Sequence, residues 1–257
     1  MKILAVDVGN TTTEFGVFVD EALACRFRLI TKEKRTSDEL TAFLSQMLAL
    51  NGLATQDISD SIVSSVVPDV NHSLVSALAK LTGNAPIMIG PGIKTVISIK
   101  CDDPREVGAD RIVDAVAAYI EYGGPVLVIN FGTATRYDLV NEKGEFCAAV
   151  TAPGIKISAD ALWRNAAKLP QIEIAKPESV LAKNTITSMQ AGLVYGQIGA
   201  TEHIVHEMRK ESGLNAKTVA CGGYAGIIQP YTDAIDVYDP LLTMKGLKIL
   251  YDKNRRK

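Results

Sequence analysis

Near its start the chain reads Ile3-Leu4-Ala5-Val6-Asp7-Val8-Gly9-Asn10-Thr11-Thr12-Thr13, and residues 14–19 read as a second strand. An apolar run that meets an acid and then a turn of small polar residues is typical of a strand leading into a tight hairpin. Because the turn carries a glycine and several threonines, its backbone N–H groups and hydroxyls can face a common ligand.

The same pattern occurs again near the middle of the chain, as Val126-Leu127-Val128-Ile129-Asn130-Phe131-Gly132-Thr133-Ala134-Thr135-Arg136. When Gly9 is aligned with Gly132, Asp7 falls on Asn130 and Thr12 falls on Thr135. The two copies lie close to half the chain length apart, which favours an internal duplication and is too long a period for a solenoid repeat. Coincidence is the alternative, because an apolar strand followed by a Gly/Thr turn is common.

The remaining residues predict an α/β protein made of two such halves, which we place at residues 1–118 and 119–257 with a cleft between them. The first helix of the prediction starts after Thr36 or Ser37 as N-cap, and Pro68 ends a buried strand. The predicted helices cover residues 37–50, 70–81, 110–122, 158–168 and 187–211, and further strands cover residues 26–30, 62–67, 86–89, 96–99 and 218–220.

Composition excludes several classes of protein. The 257 residues are 47% hydrophobic and 22% charged with a net charge of −2, so no basic surplus points to nucleic acid. The basic run Lys253-Asn254-Arg255-Arg256-Lys257 is interpreted as a solvated tail. Four scattered cysteines and three histidines do not form a zinc pattern, and buried reduced thiols are expected. No apolar run approaches the roughly 20 residues of a membrane span, so we expect a soluble, cytoplasmic protein.

The first hairpin is a candidate phosphate site, although an ordinary turn with an acid remains the alternative. It lies between two strands, whereas the Rossmann and Walker A motifs each open a helix. The carboxylate of Asp7 has the chemistry to hold Mg²⁺, directly or through water.

The segment Glu106-Val107-Gly108-Ala109-Asp110-Arg111 is the second candidate site. An acid at a helix N-terminus is favoured by the helix dipole, so one interpretation is a capping Asp110 beside a surface Arg111. The other is that Asp110 accepts a proton from a substrate hydroxyl and Arg111 binds substrate or phosphate oxygens. Asn184-Thr185 has the same ambiguity, because it also suits a helix cap.

Several of these segments resemble the type III pantothenate kinases, which belong to the superfamily of actin, hexokinase and the heat-shock chaperone ATPases. Asp7-Val8-Gly9-Asn10-Thr11 resembles the first phosphate motif of that family, and Gly132-Thr133-Ala134-Thr135 resembles the second. Cys221-Gly222-Gly223-Tyr224-Ala225 is similar to the glycine-rich adenosine loop, and Gly108-Ala109-Asp110-Arg111 to the pantothenate-binding motif. The segments Ser64-Ser65-Val66-Val67-Pro68 and Ala167-Lys168-Leu169-Pro170 also resemble the family.

The resemblance implies two ribonuclease H-like domains of the actin-like ATPase type and the transfer of phosphate from ATP to pantothenate, the first step towards coenzyme A. It implies that Asp110 is the general base and that Gly108, Ala109, Arg111 and Thr185 bind pantothenate. It further implies Mg²⁺ as cofactor, held by Asp7, and a homodimer whose partner subunit completes the acceptor pocket. The residues implied for ATP are Asp7, Gly9, Asn10, Thr11, Thr12, Gly132, Thr133, Gly222 and Gly223.

Four departures from the family pattern lie near the implied ligand sites. Asn130 stands where the family has an aspartate, which the resemblance implies is a ligand of K⁺ or NH₄⁺. Activation by a monovalent cation is therefore in doubt. Arg136 replaces a second threonine, Cys101 replaces an aromatic residue, and Ala148-Ala149 replaces a glycine pair. Two alternatives therefore stay open beside an active pantothenate kinase: a nucleotide-binding paralogue with a regulatory role, and a kinase of another small alcohol.

Overall fold

A computed structural model of the chain describes residues 1–255, and the last two residues of the basic run at 253–257 lie outside that range. By their contacts the residues form two compact units. The first unit contains residues 1–96, 103–117 and, within the described range, 243–255, and the second contains residues 97–102 and 118–242. The last helix therefore belongs to the first unit, whereas the sequence placed it in the second half of the chain.

The first unit is built on a five-stranded sheet in the order β3-β2-β1-β4-β5. β1 pairs antiparallel with β2 and parallel with β4, so its two neighbours run in opposite directions. The strands are β1 (Lys2–Val8), β2 (Thr12–Val19), β3 (Ala22–Ile30), β4 (Ile58–Ser65) and β5 (Ile87–Met88).

Helices α1 (Ser37–Leu50) and α2 (Pro68–Thr82) belong to this unit. As predicted, Thr36 caps α1. In a capping box, the Thr36 hydroxyl oxygen accepts a hydrogen bond from the Glu39 N–H, and the Glu39 carboxylate accepts one from the Thr36 N–H. The apolar residues of one sheet face form a core with both helices, and the core includes Leu4, Val6, Phe15, Leu44, Val63 and Leu78.

α7 (Leu242–Asn254) packs on the first unit together with the start of α3 (Ala109–Tyr122). A β-carbon on Gly16 of β2 would lie 2.7 Å from the Met244 sulfur, and one on Gly246 would overlap the carbonyl oxygen of Val113 in α3. Glycine at these two positions therefore lets the C-terminal helix approach the sheet and α3 closely.

The second unit has a six-stranded sheet in the order β11-β10-β7-β8-β9-β6. β7 pairs antiparallel with β8 and parallel with β10, as β1 does with β2 and β4. The strands are β6 (Ser98–Ile99), β7 (Val126–Phe131), β8 (Ala134–Val140), β9 (Glu145–Pro153), β10 (Lys217–Cys221) and β11 (Val237–Tyr238). Leaving β6 aside, both sheets share one strand order and one set of directions, which confirms the predicted duplication and the actin-like ATPase fold class.

The helices of the second unit are α4 (Ile155–Asn165), α5 (Thr185–Ser212) and α6 (Ala225–Ile228). Apolar residues of these helices form a second core with the sheet, including Leu127, Ile129, Tyr137, Val194, Ile198 and Ile228. No helix within residues 1–255 combines the length and the apolar character needed to cross a membrane.

Several elements differ from the sequence prediction. β4 begins at Ile58 and ends at Ser65, where residues 62–67 were predicted, and Pro68 is the first residue of α2 rather than the end of a strand. β9, α6, β11 and α7 were not predicted at all. The cysteines carry no disulfide in the described chain, but only Cys221 is fully buried, so the expectation of buried thiols is wrong for the other three.

Candidate active site

The first hairpin joins β1 to β2 through residues 9–12. The Gly9 N–H donates to the carbonyl of Thr12 over 3.1 Å, and the Thr31 N–H donates to the carbonyl of Thr11 over 3.0 Å. These bonds fix the loop from inside and from Thr31, the residue that follows β3. The side chains of Asn10, Thr11 and Thr12 are exposed, so three polar residues of one turn face outward.

The second hairpin, between β7 and β8, is one residue shorter than the first. Gly132 donates to the carbonyl of Ala134 over 3.2 Å, so this turn closes at the third residue rather than the fourth. By strand register Thr135 therefore corresponds to Thr13, which corrects the alignment of Thr12 with Thr135. Both register equivalents are buried, whereas Thr133 is exposed at the tip.

Asp7 lies at the carboxyl end of β1, next to Ser64 at the end of the parallel strand β4. The two α-carbons are partners in the strand register, so both side chains lie on the same face of the sheet. The ladder continues one step further, because the Val66 N–H donates to the carbonyl of Val8 over 3.1 Å. The sequence reached Asp7 through its strand and turn, but Ser64 appeared there only as part of a longer segment.

Asp110 is the second residue of α3, so it lies in the first turn of the helix. Its Oδ1 accepts a hydrogen bond of 2.9 Å from the backbone N–H of Arg111. A β-carbon on Gly108 would lie 2.6 Å from that Oδ1 and 3.8 Å from the Val66 side chain. The carboxylate thus folds back over Gly108, close to the segment that follows β4, and any larger residue at position 108 would displace it.

Asp7, Ser64 and Asp110 are therefore brought to one region of the first unit, where the parallel strands β1 and β4 end. Ala109 opens α3, and Arg111 follows Asp110 with a half-buried side chain. Ligands of α/β sheets bind outside the carboxyl ends of the strands. This arrangement is suited to phosphoryl transfer. It combines an acid that can take a proton, Asp110, an acid that can hold a cation, Asp7, and the guanidinium group of Arg111.

In the second unit the glycine-rich segment packs directly against the second hairpin. β10 pairs with β7 up to Cys221 and Asn130, and the Tyr224 N–H donates to the carbonyl of Phe131 over 3.1 Å. Gly222 has a φ of 91°, and a β-carbon there would lie 2.7 Å from the Asn130 Oδ1. Gly222 and Asn130 are therefore in close contact, while Gly223 is exposed beside them.

Gly154 supports the second hairpin from the other side, at the junction of β9 and α4. A β-carbon on it would lie 2.5 Å from the carbonyl oxygen of Gly132 and would overlap that of Thr133. The contact could not be found from the sequence, because Gly154 lies far along the chain from the hairpin.

Buried hydrogen bonds hold β8 behind this hairpin. Thr135 donates to the side chain of Gln197 over 3.4 Å, and the hydroxyls of Tyr137 and Thr201 are 3.1 Å apart. Burial raises the pKa of the Tyr137 hydroxyl, so it stays protonated at neutral pH. These bonds link the hairpin strand to α5.

Thr185 is the first residue of α5 and is exposed. Asn184 is the N-cap, since its side chain accepts a 2.9 Å hydrogen bond from the Thr187 N–H. The capping interpretation of this pair is therefore correct for Asn184, and the Thr185 hydroxyl is left on the surface for another role. Beside it, Val180, Leu181 and Ala182 line a groove of about 590 Å³ against α5.

The departures from the family pattern all lie in the second unit. Arg136 is the register partner of Asn130, so the two residues adjoin at the mouth of the second hairpin. The Cys101 thiol donates to the carbonyl of Phe146 over 3.9 Å, and Ala148 and Ala149 lie within β9. Only the Asn130 and Arg136 substitutions therefore adjoin the hairpin itself.

The donor set at Asp7 fits Mg²⁺ as an oxygen ligand. Mg²⁺ keeps several waters and is commonly held by one or two carboxylates together with substrate phosphates. Among residues 1–255 no cluster of three or more His, Cys, Asp or Glu side chains is placed to hold a metal ion. A single carboxylate at a strand end is thus compatible with a metal that arrives with a nucleotide rather than with a site made wholly of protein ligands.

The chain is similar to known proteins over almost its whole length. The model of the type III pantothenate kinase family matches residues 3–207. Proteins named type III pantothenate kinase from Agathobacter rectalis and Moorella thermoacetica are 55% and 45% identical to it, over 99% and 98% of this chain and 98% and 99% of theirs. The crystal structure of a conserved putative Baf family transcriptional activator from Campylobacter jejuni superposes with a TM-score of 0.60 at 18% identity, covering 98% of each chain.

Proposed function

The chain belongs to the type III pantothenate kinase family, and we propose that it transfers the γ-phosphate of ATP to pantothenate through the residues gathered where β1 and β4 end. The products are ADP and 4′-phosphopantothenate. The observation that supports these residue roles is the placement of Asp110, folded back over Gly108, in the same region as Asp7.

Asp110 acts as the general base in this proposal. Its carboxylate accepts the proton of the pantothenate hydroxyl as the hydroxyl oxygen attacks the γ-phosphorus. The bond between the γ-phosphorus and the bridging oxygen of the β-phosphate breaks, and ADP leaves. The bond from the Arg111 N–H orients the carboxylate, and Gly108 leaves it the room to do so. Arg111, Ala109 and Thr185 would hold the acceptor, because a guanidinium group binds carboxylate and phosphate oxygens in a fixed geometry.

The hairpins would bind the nucleotide. Backbone N–H groups of Asn10 and Thr11 and the hydroxyls of Thr12 and Thr133 are suited to phosphate oxygens. Gly9 and Gly132 would let the phosphates approach the backbone of the two turns. Asp7 would hold Mg²⁺, which supplies positive charge to the phosphates when it is bound. Gly222 and Gly223 would bind the nucleoside, since glycine lets a ligand approach the backbone.

Asn130 is the proposed position of a monovalent cation, K⁺ or NH₄⁺. Its Oδ1 offers an oxygen but no negative charge, so the affinity for such an ion would be weaker than with a carboxylate. We propose that activity depends little on K⁺ for this reason.

A homodimer in the cytoplasm completes the proposal. Exposed apolar side chains lie on α4 and beside Thr185 in the second unit, including Trp163 at 42% exposure and Leu181 at 80%. Such residues on a monomer favour a covering partner, and the family resemblance supplies a second copy of this chain. A mass of two chains in sedimentation equilibrium would support this arrangement, and a monomer with full activity would contradict it.

The decisive experiment is a coupled ADP-release assay with pantothenate, run with and without K⁺. We expect pantothenate-dependent turnover in the wild type and a fall in kcat of about 10²-fold or more in Asp110→Asn, the scale of lost general base catalysis. Asp69→Asn is the matched control, because Asp69 is likewise the second residue of its helix, α2. It should lose only the small stabilisation that an acid gains from the helix dipole.

Other outcomes would support the alternatives. Nucleotide binding without turnover would indicate a regulatory paralogue, which the Asn130 substitution favours. The Campylobacter protein, whose structure is similar, is named as a putative transcriptional activator. Turnover on a different alcohol alone would keep the chemistry and change the acceptor. An Asp110→Asn enzyme with kcat near that of the wild type would remove Asp110 from its role.

A further inference from the structure

Two serines of β4, Ser61 and Ser64, are fully buried. Within residues 1–255 neither hydroxyl oxygen has a hydrogen-bond partner. A buried hydroxyl without a partner is destabilising, and such groups in native proteins call for an explanation. The two serines share strand, residue type and burial, but they differ in what lies beside them.

The two side chains point to opposite faces of the sheet, because successive residues of a strand alternate. Ser61 lies on the face of Val63, whose side chain belongs to the apolar core with α1 and α2, and its register partner on β1 is Leu4. Ser64 lies on the face of Asp60, which accepts a 3.0 Å hydrogen bond from Tyr251 of α7. Ser61 therefore lies beside apolar residues of that core, whereas Ser64 lies on the face of the sheet that carries Asp7.

Ser64 and Asp7 are register partners at the end of the parallel β1–β4 ladder. Neighbouring strands are about 4.8 Å apart, so a rotation of the serine side chain is enough to bring its hydroxyl to a carboxylate on the adjacent strand. A carboxylate that binds a metal is usually held in turn by hydrogen bonds from a second layer of residues. A serine at this position has the donor that such a carboxylate needs.

We propose that Ser64 is a positioning residue for Asp7, and that its hydroxyl donates a hydrogen bond to the Asp7 carboxylate when that carboxylate holds the metal–nucleotide complex. The bond would fix the direction of the carboxylate that holds the cation. The inference rests on the proposed role of Asp7 in nucleotide binding, and it adds a residue to which no role was assigned above.

The test compares Ser64→Ala with Ser61→Ala. Mn²⁺ with a non-hydrolysable ATP analogue serves as the probe, because bound Mn²⁺ is read directly by electron paramagnetic resonance without turnover. We expect Ser64→Ala to bind the Mn²⁺–nucleotide complex about 10–100-fold more weakly, the usual effect of removing a residue that orients a metal ligand. Ser61→Ala should bind it as the wild type does.

Two further measurements separate positioning from a structural role. Thermal denaturation should show neither variant to be less stable than the wild type, since each removes a buried hydroxyl without a partner. Steady-state kinetics should show a raised KM for ATP in Ser64→Ala and an unchanged KM for pantothenate.

Equal Mn²⁺–nucleotide affinity in the two variants would overturn the inference, as would a Ser64→Ala enzyme whose only change is a weaker affinity for pantothenate. Binding does not depend on the acceptor. The two proposals can therefore fail separately. If Ser64→Ala loses Mn²⁺–nucleotide affinity while the wild type does not phosphorylate pantothenate, the role of Ser64 is supported and the proposed function is contradicted.

Discussion

The two hairpins have the same strand pairing but different surroundings. In the first, a loop of four residues follows a strand that carries the carboxylate Asp7. The turn glycine Gly9 is only moderately crowded, because an added β-carbon would lie 3.2 Å from the Thr12 carbonyl oxygen. In the second, the loop is one residue shorter and the acid is replaced by Asn130. Gly154 and Gly222 pack against its backbone from two sides.

This difference indicates that the duplicated device has divided its tasks. The first copy keeps ionisable side chains, because Asp7 and Asp110 both lie in that unit. The second copy has no acid at the position of Asp7; it offers backbone and amide groups held in place by close packing, with the Arg136 side chain beside Asn130. A duplication can therefore conserve geometry in both halves while the acid near the end of the first strand is retained in only one.

The largest expected effect comes from exchanging the charges of the two copies. Asp7→Asn should lower kcat/KM for ATP by about 10²-fold, the scale of losing one fixed electrostatic group at a transferring phosphate. Asn130→Asp should change it little without K⁺ and should create or strengthen dependence on K⁺. Coupled ADP-release assays across a K⁺ titration measure both effects.

The outcome of this exchange can contradict the division of tasks. If Asp7→Asn and Asn130→Asp changed activity to the same extent, the two copies would be electrostatically equivalent. No K⁺ dependence in Asn130→Asp would mean that groups other than residue 130 exclude the ion.

A smaller effect is expected from adding one methyl group to each turn. Gly154→Ala forces a β-carbon onto the carbonyls of Gly132 and Thr133, so it should destabilise the protein by about 1–3 kcal/mol, as overpacking commonly does. Gly9→Ala should cost less, since a shift of a few tenths of an ångström relieves its contact. Chemical denaturation gives both values.

Gly223→Ala is the control for this pair, because a β-carbon there meets nothing within 4 Å. Its free energy of unfolding should equal that of the wild type. A Gly154→Ala protein as stable as Gly223→Ala would show that the second hairpin moves freely and is not held by packing.

The smallest effect is expected from the threonines. Thr12→Ala and Thr133→Ala should each raise KM for ATP by about 2–10-fold, which corresponds to one net hydrogen bond of about 0.5–1.5 kcal/mol. Thr135→Val should instead lower stability, because it loses the bond to Gln197, and should leave KM unchanged. A raised KM in Thr135→Val would favour the sequence alignment of Thr12 with Thr135 over the register of the strands.

The sequence was sufficient to predict the strands that carry strong apolar runs. β1 and β7 are buried along most of their length, and in each the residue before the last, Asp7 or Asn130, belongs to the candidate site. The first part of β4 escaped notice because Ser59, Asp60 and Ser61 look like a loop. Asp60 is tolerated in that strand because Tyr251, close to the other end of the chain, donates a hydrogen bond to it.

The same limit explains what was missed in the candidate site. The motif around Asp110 is contiguous in sequence and was predicted, whereas the approach of Gly108 to Val66, just after β4, is not local. The roles of Gly154 and Ser64 depend on contacts with residues that are distant in the sequence, so no local pattern marks these two positions. α7 was missed for a related reason, because Gly246 lowers its helix propensity while permitting close packing on α3.

The membership of α7 in the first unit has a consequence for biosynthesis. Residues 243–255 complete the unit that residues 1–96 begin, yet they are synthesised only after the whole second unit. A nascent chain that ends before Leu242 leaves bare the sheet face where Gly16 meets Met244 and where Asp60 meets Tyr251. Domains usually mature in the order of their synthesis, but here the first unit must wait until α7 has been synthesised, after the whole second unit, before its last layer is in place.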